Sequence, residues 1–117
     1  MKTLIPLFFL IFLTACSSGP GPYDDFAKCL TEQEVIMFGT DWCSHCKEQK
    51  VWFENSFQYV NYVNCDKAQQ QCLTNGVSGY PTWKINGELY PGKQPLSKLA
   101  QLSGCDLYSS DQSEDGY

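Results

Sequence analysis

Val35-Ile36-Met37-Phe38-Gly39-Thr40-Asp41-Trp42-Cys43-Ser44-His45-Cys46 is the stretch that decides the fold. Four apolar residues run up to a glycine and read as a short buried strand. Thr40-Asp41-Trp42 turns the chain. A helix is predicted from Cys43 to about Asn55, with Lys, Glu and Gln on its outer face and Cys46, Lys50, Phe53 and Phe57 on one shared face. Two cysteines at this spacing close a disulfide across a first helical turn. The helix N-terminus carries partial positive charge, and its unpaired N–H groups point at the Cys43 sulfur. Both favour the thiolate, the species that does the chemistry. His45, the only histidine, adds positive field when protonated. Cys46, one turn in, is the more buried partner and resolves mixed disulfides.

Two other readings of the pair compete. A purely structural bridge closing so small a loop removes little unfolded-state entropy. A metal half-site is the other, since Cys-x-x-Cys and His suit zinc or copper. Zinc needs a second ligand pair, and the chain has no other Cys-x-x-Cys and no other His.

Downstream, Tyr59 to Cys65 suits a second strand and Lys67 to Leu73 a short helix closed by Asn75-Gly76. Thr82 to Ile85 is a third strand. Asn86-Gly87 signals a type I′ hairpin into a fourth strand at Glu88-Leu89-Tyr90. Pro95 opens a last helix through Leu102, with Gly104 beyond it. The expected order is β, α, β, short α, β, β, α. The fold class is α/β: a small mixed sheet, with a parallel start and an antiparallel hairpin finish, flanked by helices.

Upstream, Lys2 followed by the apolar run Leu4–Leu13 reads as an export signal over residues 1–15, too short to span a bilayer. Leu13-Thr14-Ala15-Cys16 is similar to the bacterial lipobox. That similarity implies that Cys16 becomes the first residue and carries lipid, where an ordinary cleavage site wants a small residue in place of Leu13. Residues 16–25, rich in Ser, Gly and Pro, are expected to form a flexible tether. The compact domain is expected over 26–106, and an acidic, frayed tail over 107–117. The whole has 117 residues, room for one small domain. Its net charge is −5 and its eight cations are all lysines without a cluster, which excludes a nucleic-acid binder.

A second motif, Gly79-Tyr80-Pro81-Thr82, precedes the third strand. X-Pro bonds adopt the cis form far more readily than others, and a tight turn into a strand is where one is used. Trp42 is either a substrate platform or a packing residue beside the disulfide. Tyr80 either shapes peptide binding beside Pro81 or caps the sheet edge.

Taken together, Phe26–Cys105 resembles the thioredoxin superfamily. It is most similar to the thioredoxin-like domain fused to, or encoded beside, bacterial and plant homologues of vitamin K epoxide reductase. The resemblance runs through Phe26-Ala27-Lys28-Cys29-Leu30, Phe38-Gly39, Trp42-Cys43-Ser44-His45-Cys46, Gln49-Lys50 and Phe53. It continues through Tyr62-Val63-Asn64-Cys65, Gly79-Tyr80-Pro81-Thr82-Trp83, Ile85-Asn86-Gly87 and Leu99–Cys105. It implies that Cys43 attacks, Cys46 resolves and Pro81 is a cis-proline beside the active disulfide. It also implies a separate membrane oxidase that passes electrons to a quinone. Met37 departs from the pattern: wider thioredoxins often bury an acid there, as a proton relay to the second cysteine. Proton transfer at Cys46 is then left to water, His45 or a substrate group.

Seven cysteines are odd in number. Lipid on Cys16 and the active pair leave Cys29, Cys65, Cys72 and Cys105. Six cysteines allow fifteen connectivities. Resemblance and topology together suggest Cys65–Cys72 and Cys29–Cys105, both permitted by an exported compartment. The implied function is that of an extracytoplasmic thiol–disulfide oxidoreductase, anchored by lipid on the periplasmic side of a bacterial envelope. It would act on protein thiols without cofactor or metal, mainly in the oxidising direction because His45 stabilises the Cys43 thiolate. A reductase or isomerase, and a copper- or zinc-handling protein, are the alternatives.

Overall fold

The computed structural model describes residues 19–108. The expected leader, Cys16 and all of the acidic tail beyond Tyr108 lie outside the described residues. Helix α1 (Asp24–Glu32) precedes strand β1 (Ile36–Gly39). Helix α2 (Ser44–Phe53) runs on into a 3₁₀ segment, Glu54–Tyr59. Strand β2 (Tyr62–Asn64), helix α3 (Gln69–Thr74), strands β3 (Thr82–Ile85) and β4 (Glu88–Pro91) and helix α4 (Leu96–Ser103) follow.

The sheet order is β2-β1-β3-β4. β1 and β2 are parallel, with Met37 opposite Tyr62 and Gly39 opposite Asn64. β1 and β3 are antiparallel, as are β3 and β4. This is the mixed sheet expected from sequence. Asn86 and Gly87 at the hairpin both have positive φ, 52° and 81°, as a type I′ turn requires.

Alternation along β1 divides the interior in two. Met37 joins Phe26, Leu30, Cys46, Phe53, Trp83, Ile85 and Leu99 on the face covered by α1, α2 and α4. Phe38 packs with Cys65, Cys72 and Val77 on the face covered by α3. Both faces of β1 are therefore dry, which is why its sequence is an unbroken apolar run.

Helix α1 has no counterpart in the predicted order, and the fold takes up part of the expected tether. α1 starts at Asp24, and ahead of it the Gly21 N–H donates to the Asp24 carboxylate while the Tyr23 N–H donates to Ser56 Oγ at 2.7 Å. The signal was present. Phe26, Ala27 and Leu30 make one buried helical stripe, and Asp24 and Asp25 complement the dipole of the first turn.

The second strand is shorter than expected, because only β1 pairs with it; Tyr59 belongs to the 3₁₀ segment instead. Gln49, expected on the outer face of α2, is fully buried. Its Oε1 accepts from Trp83 Nε1 at 3.0 Å and from the Gln94 backbone N–H at 2.7 Å, while its Nε2 donates to the Gln94 carbonyl at 3.0 Å. A buried amide is tolerated on these terms, since every polar atom has a partner.

Disulfides join Cys29 of α1 to Cys105 beyond α4, and Cys65 after β2 to Cys72 of α3. Among the described residues no helix is long and apolar enough to cross a membrane.

Candidate active site

Strand β1 ends at Gly39, and four residues later Cys43 stands as the N-cap of α2 in extended conformation. Cap residues of this geometry turn their side chain back onto the first free N–H groups. Here the side chain is a thiol: Cys43 Sγ accepts the Cys46 N–H at 3.3 Å. It also lies 3.6 Å from the Tyr80 carbonyl, as a donor. The Tyr80–Pro81 peptide bond is cis, and the Tyr80 carbonyl contact places the turn into β3 against this sulfur. Cys43 and Cys46 are free thiols.

The two sulfurs have unequal surroundings. Cys43 retains 8% of its surface and Cys46 none. Burial pushes the Cys46 thiol up to about 12, and hydrogen bonding to Cys43 pushes the same way. The Thr40 backbone amide and the Lys50 ammonium oppose the rise. Gly39 makes this seat possible, because a Cβ there would fall 2.8 Å from Cys46 Sγ.

Trp42 is 67% exposed. Its indole N–H donates to Asp66 Oδ2 at 2.8 Å, and its ring meets Tyr80 edge-on at 6.2 Å. Pinned at its nitrogen, the ring leaves most of its apolar surface open next to Cys43. Tyr80 is half-buried and packs against both interior clusters.

The structure gives His45 a different neighbour from the one expected. Its Nδ1 stands 3.9 Å from Glu48 Oε2 with the side chain 63% exposed, and it makes none of the hydrogen bonds at either sulfur. Glu48 also takes the Lys93 ammonium, which is the main cause of its carboxyl lying below the usual range. Met37 is fully buried, so β1 offers Cys46 no acid.

Three features escaped the sequence reading: the clearance at Gly39, the buried amide of Gln49, and a cluster of Lys50, Tyr62 and Asp41 beside Cys46. In the cluster, Tyr62 OH donates to Asp41 Oδ1 at 3.1 Å, and burial, with that bond, raises the phenol above its ordinary range. Among the described residues no three His, Cys, Asp or Glu side chains gather in a group that could hold a metal ion.

A dithiol at a helix N-terminus, one sulfur capping the helix and the other sealed beneath a strand glycine, lies against a cis-proline turn at one end of a mixed sheet. That combination defines the class of thioredoxin-fold dithiol proteins. The profile of the family described as thioredoxin matches residues 22–102, and the chain belongs to the thioredoxin family. It is 36% identical over 106 residues to the Arabidopsis thaliana thiol-disulfide oxidoreductase LTO1, covering 82% of this chain and 28% of that protein. It is 32% identical over 117 residues to a probable protein disulfide-isomerase, ER-60, of Schistosoma mansoni, covering 86% of this chain and 24% of that one. The chain thus spans about a quarter of the length of these relatives. Among solved structures, a mutant thioredoxin from Halobacterium salinarum aligns with 20% identity and a TM-score of 0.49, over 78% of this chain and all of that one.

Proposed function

We propose that this protein is a thiol–disulfide oxidoreductase that works mainly as a donor of disulfides to protein thiols. The observation that carries the reading is the inequality of the two sulfurs. Only Cys43 has residual access and a helix-terminal N–H at its sulfur. A substrate thiolate attacks Cys43 of the Cys43–Cys46 disulfide; the bond breaks, and Cys46 leaves with the electron pair. A second substrate thiolate then attacks the substrate sulfur of the mixed disulfide and expels Cys43 as thiolate. The product disulfide departs, and the protein holds the two electrons as its dithiol. Trp42 and Tyr80 supply the apolar edge against which the substrate chain lies, and the Pro81 turn borders the reacting sulfur.

A membrane oxidase similar to vitamin K epoxide reductase takes those electrons to a quinone. This part rests on the resemblance in sequence. Export is supported by two intrachain disulfides, which persist in oxidising compartments. The lipid anchor at Cys16 rests on Leu13-Thr14-Ala15-Cys16 alone.

The test is trapping. Cys46→Ala is expected to accumulate covalent complexes with substrate proteins through Cys43, and Cys43→Ser to form none. Trapping through Cys46 would overturn the assignment. Equilibration against glutathione fixes the direction. A donor lies well above the thioredoxin value of about −270 mV, and a potential at or below it makes the protein a reductase.

A further inference from the structure

Exchange needs a thiolate at Cys46 twice. Cys46 leaves as a thiolate when Cys43 is attacked, and it must be one to attack a mixed disulfide at Cys43. Burial works against both, and Met37 supplies no carboxylate to take the proton. A fixed positive charge is a remaining way to favour the anion.

Lys50 lies four residues beyond Cys46 on α2, one turn along the same face. Its side chain is only 26% exposed, and its ammonium is held from two sides. Nζ stands 3.9 Å from the centroid of the Tyr62 ring on β2, and 3.5 Å from Asp41 Oδ1 in the turn before α2. The Tyr62 hydroxyl bonds to that same carboxylate oxygen, closing the cluster. Gly39 joins the cluster to the sulfur: a Cβ there would lie 2.8 Å from Cys46 Sγ and 3.2 Å from Tyr62 Cε2. Sulfur and ring edge therefore meet in the space beside one glycine.

We propose that Lys50 is a positioning residue for exchange: its ammonium, held by Tyr62 and Asp41, stabilises the Cys46 thiolate in place of an acid-based proton relay. The inference rests on the oxidoreductase reading above. The groups that bear on Cys46 are Cys43 at the start of α2, the Thr40 backbone amide after β1, Tyr62 on β2 and Lys50. Among these described residues Lys50 is the one cation. When Cys43 is attacked, the electron pair of the broken bond comes to rest on Cys46 beside this charge, and no proton need move at that instant. In resolution, the Cys46 thiol gives its proton to water, the thiolate forms its bond to Cys43, and the substrate leaves as thiolate.

The test uses the reduced full-length protein and dithiobis(nitrobenzoate). Cys43 attacks first and releases one thionitrobenzoate; Cys46 then resolves the mixed disulfide and releases the second. Losing the charge is expected to raise the Cys46 thiol further, and a loss of thiolate on the order of tenfold is partly offset by greater nucleophilicity, with a Brønsted exponent of about 0.4–0.5. Lys50→Met should therefore slow the second phase about threefold at neutral pH and leave the first unchanged. Lys50→Arg should restore the wild-type second phase. An unchanged second phase in Lys50→Met, equal slowing of both phases, or no rescue by Lys50→Arg would each overturn the proposal. Loss of the first phase in the wild-type protein would instead strike at the oxidoreductase reading.

Discussion

A methyl group added at Gly39 would meet the Cys46 sulfur at 2.8 Å and the Tyr62 ring at 3.2 Å. Neither neighbour has room to retreat, since Cys46 is fully buried in a helix and Tyr62 is fixed to Asp41. Overpacking of this kind costs about 1–3 kcal/mol. Gly39→Ala is therefore expected to lower the unfolding free energy by that much, read from urea unfolding, in both the dithiol and the disulfide form; an unchanged midpoint would mean that the helix shifts freely on the sheet. At this scale the placement of the two cysteines, one capping α2 and one buried a turn further in, was legible, because a Cys-x-x-Cys at a helix start states its own geometry. The cluster around Lys50 was not. Its members lie at 41, 50 and 62, and only the parallel register of Met37 with Tyr62 brings β2 beside α2. His45 was legible as an imidazole between the cysteines but not in its direction, because its neighbour Glu48 lies on the next turn of the same exposed face.

Among the elements, β1, β3 and the hairpin were readable because each has a strong local cause: an apolar run ending in glycine, or an Asn-Gly pair. Helix α1 has nine residues and no side-chain N-cap, so its one apolar stripe and the two aspartates of its first turn were its whole signature. The boundary between α2 and the 3₁₀ segment was hidden for another reason. Glu54 adopts φ 52°, a conformation nothing in its side chain announces. The bridge from Cys29 to Cys105 joins α1 to the chain just after α4, across 76 positions. In the chain-entropy view, closing so long a loop stabilises by about 4 kcal/mol. The double variant Cys29→Ala/Cys105→Ala is expected to lose about that much in denaturant unfolding. It should keep a reactive Cys43, because α2 and β1 are held by the sheet and not by this bridge. Loss of under 1 kcal/mol would show that packing of Phe26 and Leu30 alone fixes α1.

For the molecule as a whole, the raised Cys46 thiol makes stability depend on pH in one redox state only. The unfolded chain releases this proton near the ordinary thiol value of 9.0, and the folded dithiol holds it to about 12. Between those values the native state binds more protons than the unfolded state, so stability falls as pH rises. The disulfide form has no such proton to lose. Tyr62, also raised, titrates in both forms and largely cancels in the difference. Urea midpoints of the two forms should therefore diverge above about pH 9, with the dithiol form the loser; parallel curves to pH 10 would contradict the burial of Cys46. The unequal covering of the two sulfurs has a consequence for competition between small and large thiols. Any thiol that couples to the site must do so at the single reachable sulfur, with Cys46 already waiting behind it inside the fold. In the exchange proposed above, a lone small thiol has no second group of its own to complete its oxidation, so Cys46 ejects it unchanged unless a second molecule arrives first. A polypeptide carrying two thiols finishes the exchange from its own side. The site thus favours visitors that bring two sulfurs, and monothiols drain it only when a second molecule reaches the mixed disulfide before Cys46 does.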